Sequence, residues 1–307
     1  MTYILKRLLS AFISFLMLIS STATTVLDLP HKASGQELDL SKFELTWSDE
    51  FEGEKIDSSK WQSEWWVTQR KGGYWHEDMA SVENGNLVIK ADYFDEPLEN
   101  RYYEKWHDTI NFDEYKPGYY SAILTTQGKF EQCYGYFEVR CILPAGTGLW
   151  SAFWMMNQGV YNVDGTGNDG TEVDIFESMF YKDHWWGADA VQGGIFFDGY
   201  GKDKQSDTVG KTFIENNPYK EYNTYGLEWN KDEYIFYVNR KETGRITKGG
   251  VSDNPEYLLL SVEIAGENGI ADADRHGTGK ITHTPKNNWP VEFKVDYVRA
   301  YQYREML

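Results

Sequence analysis

Glu172, Asp174 and Glu177 place three carboxyl groups within six residues, interleaved with Val173, Ile175 and Phe176. Side chains on a regular strand alternate between faces. Glu172 and Asp174 then share one face, and Glu177 falls on the other, beside Val173 and Ile175. An unpaired carboxylate buried there is costly. A β-bulge at Ile175–Phe176 removes the conflict: with one extra residue Glu177 rejoins the other two acids, and both apolar side chains point inward. Bulges are over-represented next to active sites, where they re-aim side chains. Repulsion within such a ladder raises at least one pKa, and a carboxyl that keeps its proton near neutral pH is what a general acid requires. Two carboxyls converging to about 5–5.5 Å form the retaining arrangement for glycoside hydrolysis. A calcium site or a solvated acidic face is the competing reading of an acidic triplet. The apolar residues that hold the strand, and Trp150 and Trp154 just upstream, weigh against it.

Tryptophan is the second signal. Trp65, Trp66, Trp75, Trp150, Trp154, Trp185 and Trp186 are more than a core alone needs. An indole offers a flat apolar face and one N–H donor, which suits stacking on a sugar ring while pairing with a hydroxyl. Taken singly, each has a good reading as core. Trp150 and Trp154 are the best placed for a ligand, because they lie on one face of the run Leu149 to Met156.

The elements that position these residues read as short strands. Asn84-Gly85 between Ser81-Val82-Glu83 and Asn86-Leu87-Val88-Ile89 is the strongest short hairpin signal. In Tyr136 to Leu143, Phe137, Val139, Cys141 and Leu143 share one face while Tyr136, Glu138 and Arg140 take the other, the period of a half-buried strand. Tyr225 to Trp229, Tyr234 to Val238 and Phe293 to Arg299 add further runs. Many short strands separated by turn signals indicate an all-β sandwich or barrel. No strand alternates with a helical pattern, and no internal repeat is present.

A chain of 307 residues is long enough for one large core, and all-β domains often run to about 200–250 residues without splitting. Lys6 and Arg7, the apolar run Leu8 to Ile19 and the small residues Ser20 to Ala23 form the three parts of a secretory signal peptide. The run is too short for a spanning helix. Residues 1–23 are therefore read as a signal peptide, 24–40 as a polar linker and 41–307 as one catalytic domain, in a secreted, extracellular or periplasmic protein. With 48 acidic against 30 basic residues the formal net charge is -18, a field that repels nucleic acid and anionic membranes. Cys133 and Cys141 on one extended segment stand roughly 26 Å apart at about 3.3 Å per residue, too far for a disulfide. They are expected as free thiols.

Several blocks carry a resemblance. Glu172-Val173-Asp174-Ile175-Phe176-Glu177 matches the Glu-x-Asp-x-x-Glu signature in the bulged branch of glycoside hydrolase family 16. Trp47-Ser48-Asp49-Glu50-Phe51, Asn84 to Ile89, Tyr134 to Arg140, Gly148 to Trp154, Tyr225 to Trp229 and Val295 to Arg299 are similar to the family's other blocks. The resemblance covers nearly the whole chain after the linker. It implies a concanavalin-like jelly-roll sandwich of two antiparallel sheets and an open cleft suited to internal cleavage of a polymer.

The resemblance also implies roles. Glu172 would be the nucleophile, Glu177 the acid and then the base, and Asp174 the residue that tunes the nucleophile. Trp150 and Trp154 would floor the cleft, with Trp75, Trp185 and Gln192 as further substrate contacts. No organic cofactor is needed. Many members carry a structural calcium, for which Glu50, Asp296 and the Gly85 carbonyl are the expected ligands. One departure is Phe196-Phe197, where a His-Trp pair is expected; His184, Trp185, Trp186 and Gln192 could compensate, or could be loop and core. The function expected is a monomeric retaining endo-glycosidase acting on β-1,3 or mixed β-1,3/1,4-glucan. A transglycosylase, an agar or carrageenan hydrolase and a non-catalytic sugar-binding protein are the alternatives.

Overall fold

Alternating sequence becomes paired strand throughout the computed structural model, which describes residues 31–63, 67–99, 114–179, 190–247, 249–271 and 289–307. The described strands form two large sheets and one two-stranded ribbon. The first sheet runs in the order His31–Lys32, Gln205–Phe213, Ala190–Phe197, Glu172–Ser178, Leu149–Met156, Glu256–Ile264 and Ile123–Thr125, with Glu131–Gln132 also paired to Glu256–Ile264. The second centres on Asn223–Trp229, Gly135–Ile142, Val291–Tyr303 and Asn86–Phe94. Among the described residues the named strands pair antiparallel except at two short sites, His31–Lys32 with Thr212–Phe213 and Tyr74–Trp75 with Tyr120–Ser121, and an isolated parallel bridge joins Lys71 to Ile264. The hairpin expected at Asn84-Gly85 forms, with Glu83 opposite Asn86. Both turn residues adopt left-handed backbone (φ 52° and 75°), the conformation that a two-residue turn of this kind demands.

Large apolar side chains from both sheets meet in one core. Val173, Ile175 and Phe176 join Phe137, Val139, Cys141, Leu143, Tyr225 and Leu227 in it. The Phe176 and Tyr225 rings, one from each sheet, lie 4.4 Å apart. Both cysteines are free, and Cys141 is fully buried.

The strand Gly135–Ile142 departs from the half-buried expectation. Glu138 on its second face is completely buried, where Arg240 donates two hydrogen bonds of 2.9 and 2.8 Å and the hydroxyls of Tyr136 and Tyr297 donate at 2.8 Å each. Leu38, Leu40 and Phe43 pack with Tyr136 over this face. Part of the expected linker 24–40 is thus structured: His31–Lys32 is an edge strand, Glu37 bridges to Lys241, and the Leu38 amide donates to the Arg240 carbonyl at 2.9 Å. Alternating Leu38 and Leu40 over so few residues gave too short a run to reveal a period. Residues 1–30, and with them the expected signal peptide, lie outside the described residues.

Truncating Phe176 removes the ring that joins the bulged strand to the opposite sheet. Phe176→Ala is expected to lower the unfolding free energy by about 3–5 kcal/mol, read from urea denaturation. An unchanged midpoint would mean that the strand is held by other contacts.

Candidate active site

The bulge is built into the pairing of the strand Glu172–Ser178. On one side Phe153 lies opposite Phe176 and Trp154 opposite Asp174, so that Ile175 has no partner. On the other, Asp174 pairs with Gly194 and Glu177 with Gln192, three residues spanning what two span. Ile175 and Phe176 both turn into the core, where they are 4% and 0% exposed. Glu172, Asp174 and Glu177 consequently share the outer face. The expectation at Ile175–Phe176 is met at that position.

Neighbouring strands supply the rest of this face. Across from Glu172, Asp174 and Glu177 stand Met156, Trp154 and Ala152 on one strand, and Phe196, Gly194 and Gln192 on the other. One strand further, Glu263 lies opposite Trp150. Trp75, Ile123, Ala152, Trp154, Met156, Val160, Tyr257 and Leu259 form a second apolar cluster, separate from the core. The acids therefore sit beside a dry surface.

Burial dominates their protonation. It raises Glu177 to about 8, with the Glu172 and Glu263 carboxylates adding to the effect and a hydrogen bond from Trp150 opposing it. Asp174 is pushed well above the usual carboxylate range by burial first, then by Glu177 and Glu172. Glu172 is also raised by burial, but a hydrogen bond from Tyr200 and the nearby cations Arg70 and Lys204 act the other way. All three carboxyls are raised, but their neighbours differ. Glu177 keeps a proton at neutral pH, and Glu172 has the strongest support for its anion.

The other sequence-predicted residues are placed variously. Trp154 and Trp75 are 8% and 5% exposed, and their indole N–H groups donate internally, to Ser261 Oγ at 3.1 Å and to the Val262 carbonyl at 2.9 Å. They back the face rather than offering a free platform. Trp150 is half-buried, donates to Glu177, and carries the Lys71 ammonium 5.1 Å from its ring. Gln192 is half-buried beside Glu177. Of the Phe-Phe pair, Phe196 faces outward with the Lys204 ammonium 4.9 Å from its ring, while Phe197 is in the core. Trp65, Trp66, His184, Trp185 and Trp186 lie outside the described residues.

The expected calcium ligands do not fit that ion. The Glu50 carboxylate accepts two hydrogen bonds from Arg299 at 3.0 and 2.8 Å, and Asp296 pairs with Arg140 at 2.5 Å. Both charges are already matched by guanidinium groups. His76, Glu77 and Asp78 cluster elsewhere, but the His76 ring is used up: Nδ1 accepts from the Asp78 amide and Nε2 bonds the Glu99 carbonyl.

Three residues of the site were not expected from the sequence: Arg70, Glu263 and Tyr200. Arg70 donates to Glu263 Oε1 at 2.8 Å, and the Tyr200 hydroxyl donates to Glu172 Oε2. Glu263 carried a signal, being the one acid on the outer face of the otherwise uncharged run Tyr257 to Ile264. Tyr200 carried none.

A two-sheet β-sandwich whose outer face holds a bulged carboxylate ladder, with the proton of Glu177 held to about pH 8, has the parts of a glycoside hydrolase that works with two carboxyl groups. Comparison with known proteins agrees: residues 43–303 match the family model described as the GH16 domain of β-porphyranases A–D. The chain belongs to glycoside hydrolase family 16. It is 28% identical over 303 residues to β-porphyranase B of Zobellia galactanivorans, covering 92% of this chain and 96% of that protein. It is 27% identical over 283 residues to glucan endo-1,3-β-glucosidase A1 of Niallia circulans, covering 84% of this chain but spanning only 38% of that protein's length. The laminarinase catalytic domain from Thermotoga maritima superposes with a TM-score of 0.63 at 27% identity, over 85% of this chain and 98% of that one.

A raised carboxyl has a consequence for stability. The folded protein holds the Glu177 proton up to about pH 8, whereas the unfolded chain releases it near its ordinary value of about 4.3. Between those values the folded state binds more protons, so its stability falls as pH rises. Across pH 5 to 8, the urea midpoint of the wild type should drop relative to that of Glu177→Gln. Parallel curves would show that Glu177 ionises normally.

Proposed function

We propose that this chain is a retaining endo-glycosidase that hydrolyses β-1,3 or mixed β-1,3/1,4-glucan. The observation that carries the reading is the bulge, which sets Glu172 and Glu177 on one face with the proton on Glu177. A Glu172 oxygen attacks the anomeric carbon while the glycosidic C–O bond breaks, and the Glu177 proton goes to the departing oxygen. The product is a glycosyl ester on Glu172. Glu177, now a carboxylate, takes a proton from water as that water attacks the anomeric carbon and releases Glu172. Asp174 lies between them on the same face, its carboxyl pushed well above the usual range by burial first and then by Glu177 and Glu172. Two curated relatives named for glucan cleavage and a laminarinase fold support the substrate class.

A second reading is favoured by one finding: the matching family model is of the porphyranase type, and β-porphyranase B aligns over nearly its whole length. Cations at the rim of the face, Lys71 and Lys204, suit an anionic galactan. On either reading residues 1–23 act as an export signal and the enzyme works as a monomer on extracellular polymer. Among the described residues no helix is long and apolar enough to cross a membrane.

The test is digestion of laminarin, barley β-glucan, agarose, porphyran and κ-carrageenan, with products sized by chromatography. Wild type is expected to release oligosaccharides from the glucans, and Glu172→Gln to lose at least about 10⁴-fold of that rate. Cleavage of porphyran alone would establish the second reading. Binding without release by the wild type on all five polymers would leave only a sugar-binding role.

The basic limb of the pH profile gives an independent check. Activity should fall as pH rises through about 8, where Glu177 loses its proton. Glu263→Gln removes a neighbouring negative charge and should move that limb to lower pH; an unmoved limb would mean that Glu263 does not sense Glu177.

A further inference from the structure

The turn after the strand Ala190–Phe197 has no part in the chemistry above, yet it is unusually well fixed. Asp198 and Gly199 both adopt left-handed backbone (φ 59° and 72°), a conformation that is costly for a residue with a side chain. The buried Asp198 carboxylate compensates by tying the turn to two other segments. Its Oδ1 accepts from the amides of Asp164 and Gly165 at 3.1 and 3.0 Å, and its Oδ2 accepts from Gln205 Nε2 at 2.6 Å. The Gly199 amide donates to the Val160 carbonyl at 2.7 Å. The next residue is Tyr200. Its ring meets Tyr161 edge to face, with centroids 5.5 Å apart, and its hydroxyl donates to Glu172 Oε2.

We propose that Tyr200 is a positioning residue for Glu172, orienting its carboxylate through the hydrogen bond to Oε2, and that the Asp198 turn serves to deliver it. This rests on Glu172 being the nucleophile. A hydrogen bond donated to a carboxylate favours the charged form, and it also fixes which oxygen is free to attack. Tyr200 is 46% exposed, yet its hydroxyl lies against Glu172, where desolvation and then the Glu172 charge push its ionisation far above the usual range, so the phenol remains a donor.

Other groups face Glu172 from every side. Asp174 and Glu177 share its strand, Arg70 comes from the strand Gln69–Arg70, and Glu263 and the buried Glu256 come from the strand Glu256–Ile264. Lys204 and Tyr200 come from the segment after the Asp198 turn, and Tyr161 from the short helix Gln158–Tyr161. The directly paired residues Met156 and Phe196 carry no charge. Arg70 and Lys204 favour the anion, whereas burial and Glu263 oppose it. Removing the Tyr200 hydroxyl therefore leaves the opposing effects stronger, and Glu172 should take up its proton at higher pH.

Tyr200→Phe keeps the ring against Tyr161 and deletes only the donor. Carboxyl 13C NMR of glutamate-labelled protein follows Glu172 directly, its resonance assigned by its loss in Glu172→Gln, and needs no substrate. The expected result is a Glu172 titration displaced to higher pH in Tyr200→Phe. On the polymer that the wild type cleaves, the acid limb of kcat/KM should move the same way, with a loss of about 10-fold at that limb and an unmoved alkaline limb. Asp198→Ala, which keeps the hydroxyl but frees the turn, should displace Glu172 in the same direction by less. A Glu172 titration unmoved in both variants would overturn the proposal. Full activity in Glu172→Gln would instead overturn the nucleophile reading on which it rests.

Discussion

Three residues of the strand Glu172–Ser178 span the distance that two span on the adjoining strand, and the remainder of the molecule is arranged around that mismatch. A regular strand would have carried Glu177 inward among Val173 and the aliphatic core. With Ile175 inserted, two consecutive apolar side chains enter the core and three carboxyls leave it. Packing and chemistry are therefore one constraint. The same Phe176 that seals the sheets against Tyr225 is what obliges Glu177 to face outward.

Concentrating carboxyls on a dry face sets up the electrostatics. Burial penalises every charge there, so the group with the fewest compensating partners keeps its proton. Glu172 has Tyr200, Arg70 and Lys204 in its favour, whereas Glu177 faces the negative charges of Glu172 and Glu263 with one indole donor against them. Arg70 is held in its ion pair with Glu263, which keeps a positive charge near Glu172 without pairing with it. The division of labour between an anion and an acid follows from which neighbours each strand offers.

Much of this could be read from residues alone, because local conflicts have few solutions. A five-residue spacing between two acids around apolar side chains allows either a buried charge or a bulge, and only the bulge is affordable. The hairpin at Asn84-Gly85 was as clear. What could not be read depended on partners distant in the chain. Trp154 and Trp75 look like platforms until Ser261 and Val262 are seen to take their N–H groups. Glu50 and Asp296 look like metal ligands until Arg299 and Arg140 close on them. Tyr200 sits in an aperiodic turn, and only the pairing of Asp198 with Asp164 and Gly165 reveals its direction.

A nucleophile at Glu172 and an acid–base group at Glu177, set on one face by the bulge, require two displacements at the anomeric carbon. The most direct measurement is proton NMR of the first reducing ends released from a β-linked polymer, before mutarotation. Two displacements give the β-anomer first, and the α-anomer grows in later. An initial α-anomer would mean a single displacement by water, and would contradict the assignment of Glu172 as a nucleophile.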